Sequence, residues 1–381
     1  MPHPPLTLRS IGRRALREVT EPCSIRDRAL LTRTLVLLAF VALRCGAQMP
    51  APVVPPVTAE ERRAAIEGAI ANLNAMYVFP DAAKSIETAL RARLAKQEYD
   101  LLNDGQEFAK KLTADLRAAS NDKHLGITFF PEGAREISPE NLSEPEKAAQ
   151  RDFLQKINFG FEKAERMHGN VGFLDIRGFV PASFGAETAS AAMSFVANTD
   201  ALIVDLRQNR GGEPAMIAYV LSYLFDEPTH LNDMYQRQGE KTQQWWTLPH
   251  VPGQSYGGKK PVFVLTSSRT FSGGEEFAYD LKSLKRATII GETTKGGAHD
   301  SRPVKVSDRF MMELPFAEAV NPITKTNWEG TGVEPDIATP SEQALDVAYR
   351  MAIEKIISTT TNSRQKEQLQ RLLDEMKAKQ K

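Results

Sequence analysis

Between residues 58 and 116 the apolar positions recur every three or four residues, the period of an amphipathic helix. Thr58-Ala-Glu-Glu61 has the form of a capping box. It opens a first helix with Ile66, Ile70, Leu73 and Tyr77 on one face, which Pro80 stops. Ile86, Leu90 and Leu94 mark a second helix. Asp104-Gly-Gln-Glu107 caps a third, whose stripe is Phe108, Leu112 and Leu116. Three such stripes predict the core of a small helical bundle. Leu125–Phe130 alternates like a strand, and residues 131–168 read as a polar connector with a helical stretch near 143–157.

From Val171 the period changes. Apolar runs of buried-strand length at 171–176, 201–206, 261–266 and 288–290 alternate with helical patterns near 185–198, at Met216, Val220 and Leu224, and at Phe277, Leu281 and Leu284. This alternation predicts a layered α/β domain. Arg309–Leu314 adds a strand, and residues 342–357 and 364–378 read as terminal helices. The expected organisation is a leader over 1–48, a proline-rich linker over 49–57, a helical domain over 58–130 and a connector over 131–168. A core over 169–345 and C-terminal helices over 346–381 complete it.

The leader changes the picture of where the chain works. Its first 33 residues are rich in Arg, and Leu35–Leu43 is an apolar run too short to span a membrane. Small residues follow at Gly46 and Ala47, so the segment has the form of a secretory signal. The expected destination is periplasmic or extracellular, with no stable membrane insertion once the signal is removed. Both cysteines, Cys23 and Cys45, fall in this leader, which leaves the remaining chain without disulfides, thiolate metal sites or thiol catalysis. The 48 Lys+Arg balance the 48 Asp+Glu, so no polyanion or nucleic-acid partner is expected. Composition leaves oligomerisation open.

Thr270-Phe-Ser-Gly-Gly-Glu-Glu-Phe277 is the segment richest in chemistry. Ser272 stands between a strand end and a helix start, beside two glycines. A helix N-terminus there offers free N–H groups and a positive dipole end to a developing oxyanion. A simple N-cap is the equal alternative on this segment alone. A nucleophilic serine needs a base. His124, in Asn121–Leu125, and His299, in Gly296–Asp300, are the candidates that spacing does not separate, with Lys295 a third. Asp205-Leu-Arg-Gln-Asn-Arg-Gly-Gly212 is a second glycine turn able to expose N–H groups, and Glu329 lies between turn residues.

Five blocks in order, Asn72–Pro80 with Asp122–Leu125, Asp205–Gly212, Thr266–Glu275, Arg286–Thr294 and Gly332–Asp336, resemble the C-terminal processing (tail-specific) peptidase superfamily. The similarity is to its branch with tricorn protease and interphotoreceptor retinoid-binding protein. That resemblance implies an N-terminal helical bundle joined to a ClpP/crotonase-like layered ββα core, an α/β (α+β) fold. It also implies a serine-type peptidase that needs no cofactor or metal and acts on peptide or protein substrates. Ser272 falls on the family's nucleophile. Gly297 stands where the Ser-Lys branch has its lysine, which disfavours that mechanism. His124 and Glu329 fall on the tricorn-like base and orienting acid, while Lys123 replaces the serine that precedes that histidine. Gly211 or Gly212, with the Gly273 amide, would form the oxyanion hole. The 131–168 connector is too short for the peptide-binding PDZ module that the family often inserts. The rival reading is a non-catalytic carrier of apolar ligands on the same fold.

Overall fold

The computed structural model describes residues 55–135 and 142–378. The expected leader, its two cysteines and most of the proline-rich linker lie outside the described residues.

The helical stretch contains α1 (Ala59–Met76), α2 (Pro80–Ala95) and α3 (Gly105–Ser120). The predicted capping box closes at Thr58, whose Oγ accepts from Glu61 N while the Glu61 carboxylate accepts from Thr58 N. Asp104 caps α3 by accepting from Gln106 and Glu107. Pro80 does more than end α1: it begins α2 as its first residue, where its missing N–H costs nothing. These helices do not bury their stripes on each other alone. Ile66, Leu73, Ile86, Phe108, Leu112 and Leu116 share one core with Val304, Phe310, Met312 and Leu314. The reason is β1 (Gly126–Phe129), which pairs antiparallel with residues 310–313.

α4 (Glu144–Lys156) leads into β2 (Phe161–Met167), so the last residues of the expected connector are part of a sheet. There follow β3 (Val171–Ile176), α5 (Ala182–Val196), β4 (Ala201–Asp205) and α6 (Pro214–Leu221). Next come β5 (His230–Gln236), β6 (Lys241–Trp246), β7 (Val262–Thr266), α7 (Gly273–Ser283) and β8 (Thr288–Gly291). β9 (His299–Ser307), β10 (Phe310–Val320), β11 (Ile337–Ala338), α8 (Ala344–Thr359) and α9 (Ser363–Ala378) complete the described chain.

Two sheets result. In the first the order is β11-β8-β7-β4-β3-β2, parallel except for β2. Its central strands are apolar on both faces, as strands covered on both sides must be. Leu174, Ile176, Leu202, Val204 and Val264 face α5, α6 and α7. Val171, Phe173, Ile203, Phe263 and Leu265 face α8 and α9. The second sheet runs β1-β10-β5-β6, with β9 along the other edge of β10. β5, β6 and β9 were not expected from the sequence. β6 is exposed along nearly its whole length, and β9 alternates charged and apolar residues around a proline. Such edge strands lack the apolar run that marks a covered one.

Candidate active site

The parallel strands β4, β7 and β8 end at Asp205, Thr266 and Gly291, and the loops leaving those ends meet at one corner of the first sheet. Open α/β sheets commonly place their sites at such carboxyl ends. Ser272 sits there as the residue before α7, with φ 54° and ψ −124°. A side-chain-bearing residue pays about 1–3 kcal/mol for a conformation of that kind. It is held by what surrounds it. α7 buries Phe277, Ala278 and Leu281 completely. The Glu275 carboxylate accepts from Ser272 N at 2.9 Å, Gly296 N at 2.6 Å, Gly297 N at 2.9 Å and the Thr294 hydroxyl. One buried carboxylate therefore ties the serine's backbone to the loop after β8. Burial pushes the Glu275 carboxyl up, and these donors oppose that push.

The glycine turn after β4 closes on the same corner. A Cβ at Gly211 would lie 2.8 Å from Cβ of Ser272, and one at Gly273 would lie 3.0 Å from Gly212 N. Gly211 and Gly212 take φ 103° and 136°, a region closed to side-chain-bearing residues. Their amides differ in use. Gly211 N–H donates to Asn209 Oδ1 at 2.8 Å and is consumed. The Gly212 and Gly273 N–H groups have no acceptor among the described residues. The sequence offered either glycine of the turn; the structure leaves Gly212 free.

Both candidate histidines reach the corner. The ring of His124 stacks on Phe271, the neighbour of Ser272, at 4.7 Å between centroids. A Cβ at Gly297 would lie 2.2 Å from the Phe271 ring and 2.7 Å from Cε1 of His124. The space that a lysine at position 297 would need is thus filled by these two rings, so the histidine arrangement and the lysine arrangement exclude each other. Lys295 turns to the Phe271 ring, its Nζ 4.5 Å from the centroid. His299 is the first residue of β9, not a loop residue, and it lines a pocket with Ser272, Gly212, Gly273, Gly297 and Trp328.

Asp122 joins the two histidines. Its Oδ1 accepts His124 N–H at 2.9 Å and lies 3.6 Å from His124 Nδ1. Its Oδ2 pairs with His299 Nδ1 at 2.7 Å and accepts from Tyr77 OH at 3.0 Å. Burial works to raise the Asp122 pKa, but the hydrogen bonds from both histidines outweigh it and hold the carboxyl well below its ordinary range. For His299, burial favours the neutral ring, yet the Asp122 bond and charge win and raise its pKa. An ionised carboxylate only accepts, so Nδ1 of His299 donates to it, and in the neutral ring Nε2 keeps a lone pair. Nε2 of His299 and both ring nitrogens of His124 are buried without a partner among the described residues. Glu329 stands against His299, with Oε2 3.6 Å from its Nδ1 and accepting Ala298 N–H at 2.6 Å. Burial raises the Glu329 carboxyl, and His299 opposes that.

Two members went unassigned in the sequence. Asp122 appeared only inside a motif, because nothing along the chain shows that a strand about 177 residues away will meet it. Glu275 was legible: Ser272-Gly-Gly-Glu275 has capping-box spacing, the same signal that located α1.

Behind Ser272, Glu276 and Asp280 on α7 face inward with Asp300 of β9. Burial lifts Glu276 to about 8 and Asp300 to about 6. A raised carboxyl means that the folded state keeps a proton the unfolded chain releases. Stability from this group is therefore greatest below the unfolded pKa and falls as pH rises toward about 8. Glu276→Gln is expected to flatten that decline and to stabilise the protein by about 3 kcal/mol at pH 8, with little change at pH 5. Urea unfolding at the two pH values tests this; equal effects at both would disprove it.

Residues 170–339 match the model of peptidase family S41, and residues 58–160 match the N-terminal domain of peptidase S41 in eukaryotic IRBP. Tricorn protease of Thermoplasma volcanium is 27% identical over 200 residues, covering 51% of this chain and 18% of that protein. A carboxy-terminal-processing protease of Bartonella bacilliformis is 26% identical over 196 residues, covering 49% and 42%. The chain thus matches less than half the length of either relative. A crystal structure of a CPAF mutant superposes with a TM-score of 0.55 over 79% of this chain and 99% of that one, at 13% identity, a likeness of fold.

Proposed function

The chain belongs to peptidase family S41, and on that premise we propose that it is an exported serine peptidase with Ser272 as nucleophile. The observation that carries this reading is the conformation of Ser272. A helix cap needs no positive φ, and a carrier of apolar ligands gains nothing from one. A nucleophile does, because a strained strand-to-helix corner mounts its hydroxyl at the helix N-terminus, where the Gly212 and Gly273 amides are free. Attack on a peptide carbonyl would put negative charge on its oxygen, where Gly212 and Gly273 N–H can donate. Export rests on the form of the leader alone.

His124 is the proposed base, by its match to the tricorn-like position. Its unpartnered nitrogens and its stacking on Phe271 support that role. Glu329 would act through His299 and the strand that carries it. A second reading has its own support: His299 lines the pocket at Ser272 and has the Asp–His bond that fixes a tautomer able to accept a proton.

Active-site titration tests the proposal. A fluorophosphonate is expected to label the purified protein with a stoichiometry of about one, at Ser272 by peptide mapping, and to stop hydrolysis of a peptide library in proportion. Labelling elsewhere, or none with hydrolysis intact, would refute the nucleophile.

A further inference from the structure

Asp122, His124 and His299 offer a second kind of chemistry. One ligand atom from each lies within 4.8 Å of the other two, among groups that are almost fully buried. The His124 side chain is 7% exposed and that of His299 is 3% exposed. Three of their four ring nitrogens have no hydrogen-bond partner among the described residues. A buried polar atom without a partner is costly, so an ion that bonds one nitrogen of each ring gains from entering the site.

We propose that Asp122, His124 and His299 bind one divalent transition-metal ion of the zinc class, and that occupancy reversibly blocks the peptidase. Two imidazoles and one carboxylate are a donor set that suits zinc and leaves a fourth position open. Bonds of about 2.0–2.1 Å to such a tetrahedral ion place donors about 3.3 Å apart. The widest pair here, within 4.8 Å, needs to close by up to about 1.5 Å, and the Asp122–His299 pair, at 2.7 Å, needs to open by about 0.6 Å. The ion takes the place of the proton between Asp122 and His299, and that proton moves to Nε2 of the same ring. Imidazole nitrogen in the set selects zinc, cobalt, nickel or copper over magnesium and calcium. Glu329, whose Oε1 is buried without a partner, stands at the His299 side of the site.

The metal site rests on this geometry alone; the block rests on the proposed peptidase activity. Either histidine serves as base in that reading, and an ion bonded to both leaves neither able to take a proton from Ser272.

The two parts are tested separately. Calorimetric titration of Ser272→Ala with zinc chloride is expected to show one ion bound. His124→Gln and His299→Gln should each weaken it by about 100-fold or more. Magnesium chloride should give no signal. Cobalt chloride added to the unaltered protein is expected to give the visible absorption of tetrahedral cobalt, a readout independent of how the variants fold. Absence of binding at millimolar zinc, an octahedral cobalt spectrum, or undiminished affinity in both folded variants would overturn the site. If zinc binds as expected and Ser272 takes no fluorophosphonate, the site stands and the peptidase reading fails. If hydrolysis is real but unaffected by bound zinc, the block is wrong.

Discussion

Replacing Ser272 with alanine is expected to lower hydrolysis by about 10⁴-fold or more and to abolish fluorophosphonate labelling, with folding retained. The hydroxyl is the only group lost, together with the cap contact it accepts from Glu275 N–H. Glu275 still accepts Ser272 N–H, because that bond uses the backbone. Ser272→Gly should be equally inactive but more stable. Its backbone tolerates φ 54° without the cost that serine bears, so the gain should be about 1 kcal/mol or more. Thermal unfolding of the three proteins distinguishes a strained nucleophile from a helix cap. A cap would show no activity loss, and glycine would bring no gain. Stability given up at one residue and recovered by removing its function is the trade-off expected of an active site.

His124→Ala is expected to reduce kcat by about 10³-fold or more, whereas His299→Ala should cost about 10- to 100-fold and shift the pH profile. The asymmetry follows from what each ring touches. His124 has no bond at either nitrogen to be relieved of, so its ring is free to take the serine proton. His299 already spends Nδ1 on Asp122, and its raised pKa makes it the group that sets the charge of the corner. Without it, Asp122 loses a hydrogen bond that keeps its carboxyl ionised. The Asp122→Asn variant should be worse than His299→Ala, since it disturbs the His124 backbone bond as well. Reversal of the two losses, with His299→Ala the more damaging, would make His299 the base and confirm the Asp–His pair as catalytic. The pH dependence of kcat/KM adds a check, because only loss of the base removes the neutral-range limb.

The coarse plan of the molecule was legible along the chain. The stripes of Phe108, Leu112 and Leu116 and the runs at 201–206 and 261–266 announce helix and covered strand, because their burial repeats with the period of the backbone. Gly211 and Gly212, and Gly273 beside Ser272, mark two separate turns along the chain. Of the second sheet, β1 and β10 were legible and three strands were not. β5, β6 and β9 pair at edges or face solvent on one side, so their residues carry no continuous apolar signal.

The candidate site divides along the same line. Local order determined the mount: a strand end, a strained serine and a buried helix, all within twelve residues of α7 and its cap. Only the tertiary structure decided which groups share that corner. β10 brings β9 and β1 to its two edges, and this carries His299 and the Asp122–His124 turn toward Ser272. The same packing fills the space at Gly297 with His124 and Phe271, and leaves the Gly212 amide free while Asn209 takes that of Gly211. Periodicity reports which face of an element is buried. It carries no information about what that face meets, because contacts between distant segments are set by how sheets pair and not by spacing along the chain.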